Sequence, residues 1–249
     1  MKTNLIQDYK VFEGTYNQIM PLLVKENYQP LTTKDIMLNR IKAIQSKDQN
    51  ETNFWLNKYF DTADALAYHD NKLIIQPNSR HLLSINQDSK LNNGSLILNQ
   101  EQFNELSKKY EVFDRNKIKH GNSLTKQQSK EHPIWLKLAQ DDKSLLEEYT
   151  DLIFAKAKEI YGYNENMGIC LPDDQENPAM RDWFLWNLVN RSDAVAGSGL
   201  DYNTRLFGVR AQNLDQLIFK IAQEEDITNP EELRKAIKLY KTAKKLLSS

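Results

Sequence analysis

Cysteine is nearly absent from this chain of 249 residues. Cys170 stands alone, which excludes a disulfide framework and most zinc sites. Net charge is nearly absent too: 33 Lys and Arg oppose 34 Asp and Glu, for a formal charge of -1. That balance gives no general pull toward nucleic acid or acidic membranes, so no nucleic-acid partner is expected. No apolar run approaches the roughly 18 residues of a membrane span. The opening MKTNLIQDYK has no apolar signal segment. The sequence is therefore expected to be soluble and cytoplasmic without membrane insertion, display at a surface needing some other route. There is no GxGxxG, no P-loop, no GxSxG and no HExxH. With 8 Gly and 7 Pro, no linker or repeat divides the chain, and one domain over 1–249 is expected. Hydrophobic residues at 40% and aromatics at 10% mark a globular body and not a disordered one.

What is present reads as mixed α and β. Ile36, Leu38, Ile41 and Ile44 recur at helical spacing and predict a helix over Thr32–Ile44. Asp48–Thr52 reads as a polar break before an aromatic core cluster, Phe54-Trp55-Leu56. Ala65–Tyr68, a polar tetrad His69–Lys72 and Leu73–Gln76 read as a hairpin stopped by Pro77. Leu82–Ile85 and Leu96–Leu98 read as short strands around the turn Asn92-Asn93-Gly94. Gln100–Lys109 reads as a helix and 115–133 as a polar loop. Ile134–Tyr161 is strongly helical, with a possible split at Asp141-Asp142 and a stop at Gly162. Gly168–Pro178 reads as a loop, Ala179–Val189 as a helix, and Arg205–Ala211 as a strand. Two helices are expected at Leu214–Glu225 and Pro230–Leu247, making 212–249 a helical extension.

Ordinary catalytic signals are weak. His69, His81, His120 and His132 have no metal-ligand spacing. Cys170, between Ile169 and Leu171, reads as a structural thiol. Asp61 and Asp64 suit a carboxylate pair, although turn or cap duty is the commoner use of such residues. Asp173-Asp174 lies in a Pro-bounded loop and reads as solvated. The Lys238, Lys241, Lys244, Lys245 stripe reads as a solvated helix face. No catalytic residue, metal or cofactor is expected.

One segment differs in composition. Lys, Glu, Gln and Met fill 62 of 249 positions, so the 29 residues Asp182–Arg210 should hold about seven of them; they hold none. The segment is not simply apolar. Asn, Ser, Asp, Tyr and Gly recur on irregular backbone, the mixture that recognition loops use: Tyr supplies contact area at low entropy cost, and small polar residues supply adaptable hydrogen bonds.

Arg191-Ser192, Ala194, Gly197, Leu200 and Arg205-x-Phe207-Gly208-Val209-Arg210 resemble the variable region of diversity-generating retroelement variable proteins, nearest to the archaeal branch. The Gly-Val-Arg block also resembles the Gly-Phe-Arg ending of the formylglycine-generating type of C-type lectin fold. In the retroelement family, template adenines are randomised, chiefly in AAC or AAT codons, which never yield Lys, Glu, Gln, Met or Trp. The gap over 182–210 matches four of those five; Trp183 and Trp186 would be scaffold or differently templated.

The resemblance implies an α+β, C-type lectin-like fold with added helices, and a non-enzymatic protein displaying a hypervariable ligand-recognition surface. Its ligand would be a protein or a cell-surface molecule. The displayed set would be Phe184, Trp186, Asn187, Val189, Asn190, Asp193, Val195, Ser198, Gly199, Asp201, Tyr202, Asn203, Thr204 and Leu206. Trp183, Leu188, Arg191, Ser192, Ala194, Ala196, Gly197, Leu200, Arg205, Phe207, Gly208, Val209 and Arg210 would be scaffold. Asp193, Asp201, Tyr202 and Asn203 in particular should point outward together. Asp193 also suits a calcium ligand, but no Glu-Pro-Asn or Trp-Asn-Asp signature accompanies it. The alternatives are an enzyme of formylglycine-generating type, for which paired cysteines or a metal are needed, and a viral or structural attachment protein.

Overall fold

The computed structural model describes residues 9–121, 123–197 and 199–210. The expected helices at Leu214–Glu225 and Pro230–Leu247 lie outside the described residues.

The chain opens with β1 (Tyr9–Gly14), α1 (Tyr16–Lys25), β2 (Tyr28–Pro30), α2 (Thr33–Ser46), α3 (Gln49–Asn57), β3 (Phe60–His69) and β4 (Lys72–Gln76). There follow α4 (Arg80–Leu83), β5 (Leu91–Asn92), β6 (Ser95–Ile97), α5 (Gln100–Lys109), β7 (Val112–Asp114), α6 (Lys126–Glu131), α7 (Pro133–Leu138) and α8 (Lys143–Tyr161). The last elements are β8 (Ile169–Cys170), β9 (Ala179–Leu185), β10 (Ala194–Val195) and β11 (Thr204–Arg210).

Local chemistry sets many of these boundaries. Thr32 caps α2 through the Asp35 N–H while Asp35 reaches back to the Thr32 N–H at 2.9 Å; Asn99 with Gln102 and Thr125 with Gln128 repeat this capping box at α5 and α6. Asp142 caps α8, and Gly162 ends it in the left-handed region at φ +71°. The expected split at Asp141-Asp142 is real, with Gln140 and Asp141 both at positive φ.

Four expectations need correction. Asp48–Thr52 is no break: Asp48 Oδ1 accepts from the Asn50 and Glu51 N–H groups and starts α3. Leu82–Ile85 is no strand, because Ser79 caps the short helix α4. The segment 115–133 contains α6. Ala179–Val189 is no helix but β9 followed by a 3-10 turn over Leu188–Asn190.

That last difference has a physical cause. The sheet runs β1-β11-β3-β9-β10-β8, with β2 beside β11, β4 and β7 extending from β3, and β6 and β5 extending from β9. Both faces of its centre are covered. One core holds Trp55, Trp135, Tyr149, Ile153, Trp183, Leu185 and Phe207, with α2, α3, α7 and α8 contributing. The other holds Tyr16, Met20, Leu23, Ile74, Phe103, Met180 and Leu206, with α1, α4 and α5 contributing. A strand buried on both faces loses its apolar–polar alternation and is easily mistaken for helix.

The two ends of the described chain pair in the sheet. β1 runs antiparallel to β11 from Tyr9↔Val209 to Gly14↔Thr204. Arg205 reinforces this register, its Nε and Nη2 lying 2.8 and 2.6 Å from Glu13 Oε1. β11 in turn lies parallel to β3, Leu206 opposite Asp61.

Candidate functional site

β9 delivers the first wall of the site. Side chains alternate across a strand, so Trp183 and Leu185 enter the core beneath α2 and α8. Asp182, Phe184 and Trp186 turn to the opposite side. There they meet β3, whose Asp61 lies opposite Phe184. Between Asp61 and Ala65, β3 carries a bulge: the three residues 62–64 of β3 face Trp183 alone on β9.

Asp64 anchors that bulge. Its Oδ2 accepts from the Thr33 N–H at 2.7 Å and its Oδ1 from the Asn78 N–H at 2.9 Å. Thr62 Oγ1 donates to the Trp183 carbonyl at 2.6 Å, and Tyr16 Oη donates to the Thr62 carbonyl at 2.9 Å. Asp61 and Asp64 are thus not partners of each other: Asp64 performs turn duty, and Asp61 is set beside Asp182.

Two loops complete the site. In the first, Asn187 Oδ1 accepts from the Asn190 N–H at 3.0 Å, and Arg191 and Ser192 take positive φ. The Trp186 N–H donates to the Asp193 carbonyl at 2.9 Å. In the second, the Leu200 N–H donates to the Gly94 carbonyl at 2.8 Å and the Tyr16 N–H to the Leu200 carbonyl at 3.0 Å. Gly94 and Gly199 pass so closely that a Cβ on Gly199 would sit 3.0 Å from Gly94 Cα.

Together these elements enclose a cavity of about 200 Å³. Phe184, Trp186, Gly199, Tyr202, Asn203 and Thr204 line it from β9 and the second loop; Tyr16, Tyr59, Asp61 and Asp182 line it from elsewhere. The floor is sealed and acidic. Asp61 Oδ2 accepts from the Arg205 N–H at 2.9 Å, while the Asp182 carboxyl is hydrogen-bonded to that of Asp61 and its Oδ2 meets no N–H or O–H donor among the described residues. Burial pushes both carboxyls upward, and the neighbouring Asp61 pushes Asp182 further, well above the usual carboxylate range. Burial, then Asp182, Asp61 and Asp64, also raises the Tyr16 phenol. Two close, buried carboxyls hold a proton between them because both cannot ionise cheaply at short range. The rim is open: Tyr202 is 70% exposed, and Asp201 and Asn203 are exposed beside it.

Six of the fourteen residues selected from the sequence therefore meet at one opening. Val189 and Asn190 are exposed and Asn187 is half-buried on the neighbouring loop, outside the cavity lining. Ser198 lies outside the described residues. Phe184 lines the cavity but is itself buried, at 6% exposure, and three further members are not displayed. Leu206 is 0% exposed, because the face of β11 that carries it packs under α1. Val195 is buried in β10. Asp193 does not point outward with Asp201, Tyr202 and Asn203; it is buried, and its Oδ1 accepts from the Gly168 N–H at 2.6 Å. Burial raises its carboxyl to about 6. Gly199 lines the cavity but has no room for a side chain.

No family model and no curated protein matches the chain. A solved structure described as "Accommodation of massive sequence variation in Nanoarchaeota by the C-type lectin fold" does. It superposes with a TM-score of 0.64 at 18% identity, over 83% of this chain and 99% of that one. The chain adopts a C-type lectin fold.

On this C-type lectin fold the cavity draws on residues far apart in sequence. Tyr16, Tyr59 and Asp182 carry no local signal for it. Asp61 pairs across 121 positions, and only a strand reading of 179–185 would have put Asp182, Phe184 and Trp186 on one face. Cys170 is half-buried, with its thiol pushed up by burial and by Asp193. Among the described residues no group of three His, Cys, Asp or Glu could hold a metal ion, and no helix is long and apolar enough to cross a membrane.

Proposed function

We propose that this chain is a non-enzymatic binding protein and a variable protein of a diversity-generating retroelement. Its interchangeable surface is the rim formed by Trp186, Asp201, Tyr202, Asn203 and Thr204, with Val189 and Asn190 alongside. The ligand is a protein or a cell-surface molecule, and no cofactor takes part. The observation that carries this reading is the convergence of six residues, named from the resemblance, on one opening whose loops are held by backbone hydrogen bonds. Because Trp186 and Leu200 are fixed through main-chain atoms, neighbouring side chains are free to change without unfolding the frame; exposed substitutions usually shift stability by within about 0.5 kcal/mol. The solved C-type lectin structure, whose description names massive sequence variation, supports the same idea.

The test has two arms. A near-copy of the DNA encoding 184–210, differing at adenines and lying near a reverse transcriptase gene, is the expected genomic finding. In the second arm, Trp186, Asp201, Tyr202 and Asn203 are randomised together. Most library members should stay folded, and panning against unrelated proteins should yield binders. A library that largely unfolds sinks the proposal.

A further inference from the structure

The cavity divides along a line the retroelement reading makes meaningful. Phe184, Trp186, Gly199, Tyr202, Asn203 and Thr204 belong to the set the resemblance gives as displayed, whereas Tyr16, Tyr59, Asp61 and Asp182, the first residue of the 182–210 segment, do not. If the first group changes, the second does not. The constant half is an anionic floor flanked by two tyrosine rings.

Three observations define what such a floor accepts. First, no Lys or Arg side chain among the described residues forms an ion pair with Asp61 or Asp182. The Arg205 guanidinium is engaged by Glu13 and stands 5.9 Å over the Tyr59 ring, and the only cation acting on Asp182 is the neighbouring Arg181, which forms no ion pair with it among the described residues. Second, Asp182 Oδ2 is buried and, apart from the proton that its carboxyl shares with Asp61, meets no N–H or O–H donor among the described residues, an arrangement that a further donor would improve. Third, the walls are aromatic; Phe184 and Trp186 stand 5.5 Å apart at 53°. Aromatic faces over a carboxylate attract a cation from two directions at once. A volume near 200 Å³ is roughly six or seven waters. It suits the end of a side chain and is too small for a drug-sized ligand.

Resting on the binding-protein reading above, we propose that the Asp61–Asp182 floor is a constant subsite for an alkylammonium or guanidinium group, the tip of a Lys or Arg side chain on the protein ligand. The changeable rim then selects what surrounds that cation. Asp182 Oδ2 is the acceptor waiting for its N–H. Entry of the cation makes the doubly ionised floor affordable, so the shared proton leaves as the ligand binds and affinity rises with pH. The titratable groups lining the cavity with the pair are Tyr16 from α1, Tyr59 before β3 and Tyr202 from the rim. Arg181 lowers the Asp182 carboxyl, Arg205 donates its backbone N–H to Asp61, and Asp64 acts on Tyr16.

The probes are N-acetyl-lysine methylamide and N-acetyl-arginine methylamide, titrated into the intact chain by calorimetry and by tryptophan fluorescence. The norleucine analogue is the uncharged control, and n-butylammonium tests a free small amine. At least one capped cationic residue should bind at least tenfold more tightly than the norleucine analogue and than n-butylammonium, and tighten from pH 5 to pH 8. Asp61→Asn with Asp182→Asn should abolish this binding while the melting temperature holds or rises. Asp182→Asn alone keeps one carboxyl and removes the shared proton, so it should retain binding with a flattened pH profile. Equal binding of norleucine, no binding of either capped cation, or unchanged binding by the folded double variant would overturn the subsite. Tighter binding of n-butylammonium than of either capped residue would overturn the side-chain assignment. None of those results touches the randomised library, which separately decides the binding-protein reading.

Discussion

The buried guanidinium of Arg40 donates from Nη2 to the carbonyl oxygen of Trp186 at 2.8 Å. Its Nε donates to the Trp55 carbonyl at 3.0 Å and its Nη1 to Tyr149 Oη at 2.9 Å, and the group lies 5.6 Å over the Phe60 ring. One cation thus ties α2, α3, α8 and the end of β9 together beside the cavity. Arg40→Met keeps the apolar stem but leaves buried carbonyls without donors. A loss of about 3 kcal/mol or more is expected, read as a fall in melting temperature of several degrees. A neutral result would show that the rim does not depend on this anchor.

The frame and the rim should respond oppositely to substitution. A Cβ on Gly208 would lie 2.8 Å from Tyr28 Cβ and 3.0 Å from Phe12 Cε2, so Gly208→Ala should cost about 1–3 kcal/mol by overpacking. Phe207, packed on Phe54 and Phe60 at 5.6 and 4.8 Å, should lose about 3–5 kcal/mol on truncation to Ala.

By contrast, Tyr202→Ala and Asn203→Ala should change stability by no more than about 0.5 kcal/mol. Chemical denaturation of the four variants side by side checks both expectations. A large loss at Tyr202 would place it in the frame.

Gly199→Ala supplies a sharper contrast within the same loop. Its new methyl would collide with Asp201 and approach Gly94 Cα at 3.0 Å. The variant should therefore unfold at lower temperature or displace the 199–203 loop, seen as a changed amide spectrum confined to that loop and to Gly94. Wild-type behaviour would mean that position 199 is as variable as its neighbours.

The parts of the fold written in local chemistry were legible: the hairpin of β3 and β4, the α5 boundaries set by Asn99 and Lys109, the break before α8, and β11. The rest was not, for identifiable reasons. β9 is covered on both faces, so its period-2 signal vanished and Trp183 with Trp186 imitated a helix. Asp48 reads as a loop residue until its cap on α3 is seen. At the site, composition marked out the segment 182–210, and the resemblance named Trp186, Tyr202 and Asn203 within it, which line one cavity. It could not separate Asp193 and Leu206, whose burial depends on Gly168 and α1. The Asp61–Asp182 floor joins two strands 121 positions apart, and no short-range pattern encodes that.

Asp64 gives a pH signature with a definite sign. Burial raises its carboxyl from the ordinary 3.8 to about 6. In this window the folded state binds more protons than the unfolded one, so the stabilisation is fully present below about pH 4 and is lost as pH rises through about 6. Asp193 acts in the same direction. His81 and His132 act oppositely, since burial lowers both imidazoles and folding excludes their protons. The raw stability curve therefore mixes signs, and the informative quantity is the difference between wild type and Asp64→Asn. Asn offers one acceptor to the Thr33 and Asn78 N–H groups and meets the other with its own amide, so the variant is weaker but has no titration at this position. The difference in unfolding free energy, measured in urea at pH 4 and pH 7, should change by about 2–3 kcal/mol, with wild type relatively better off at pH 4. A difference independent of pH would show that Asp64 is ionised across the whole range and that the bulge of β3 is held by a charge.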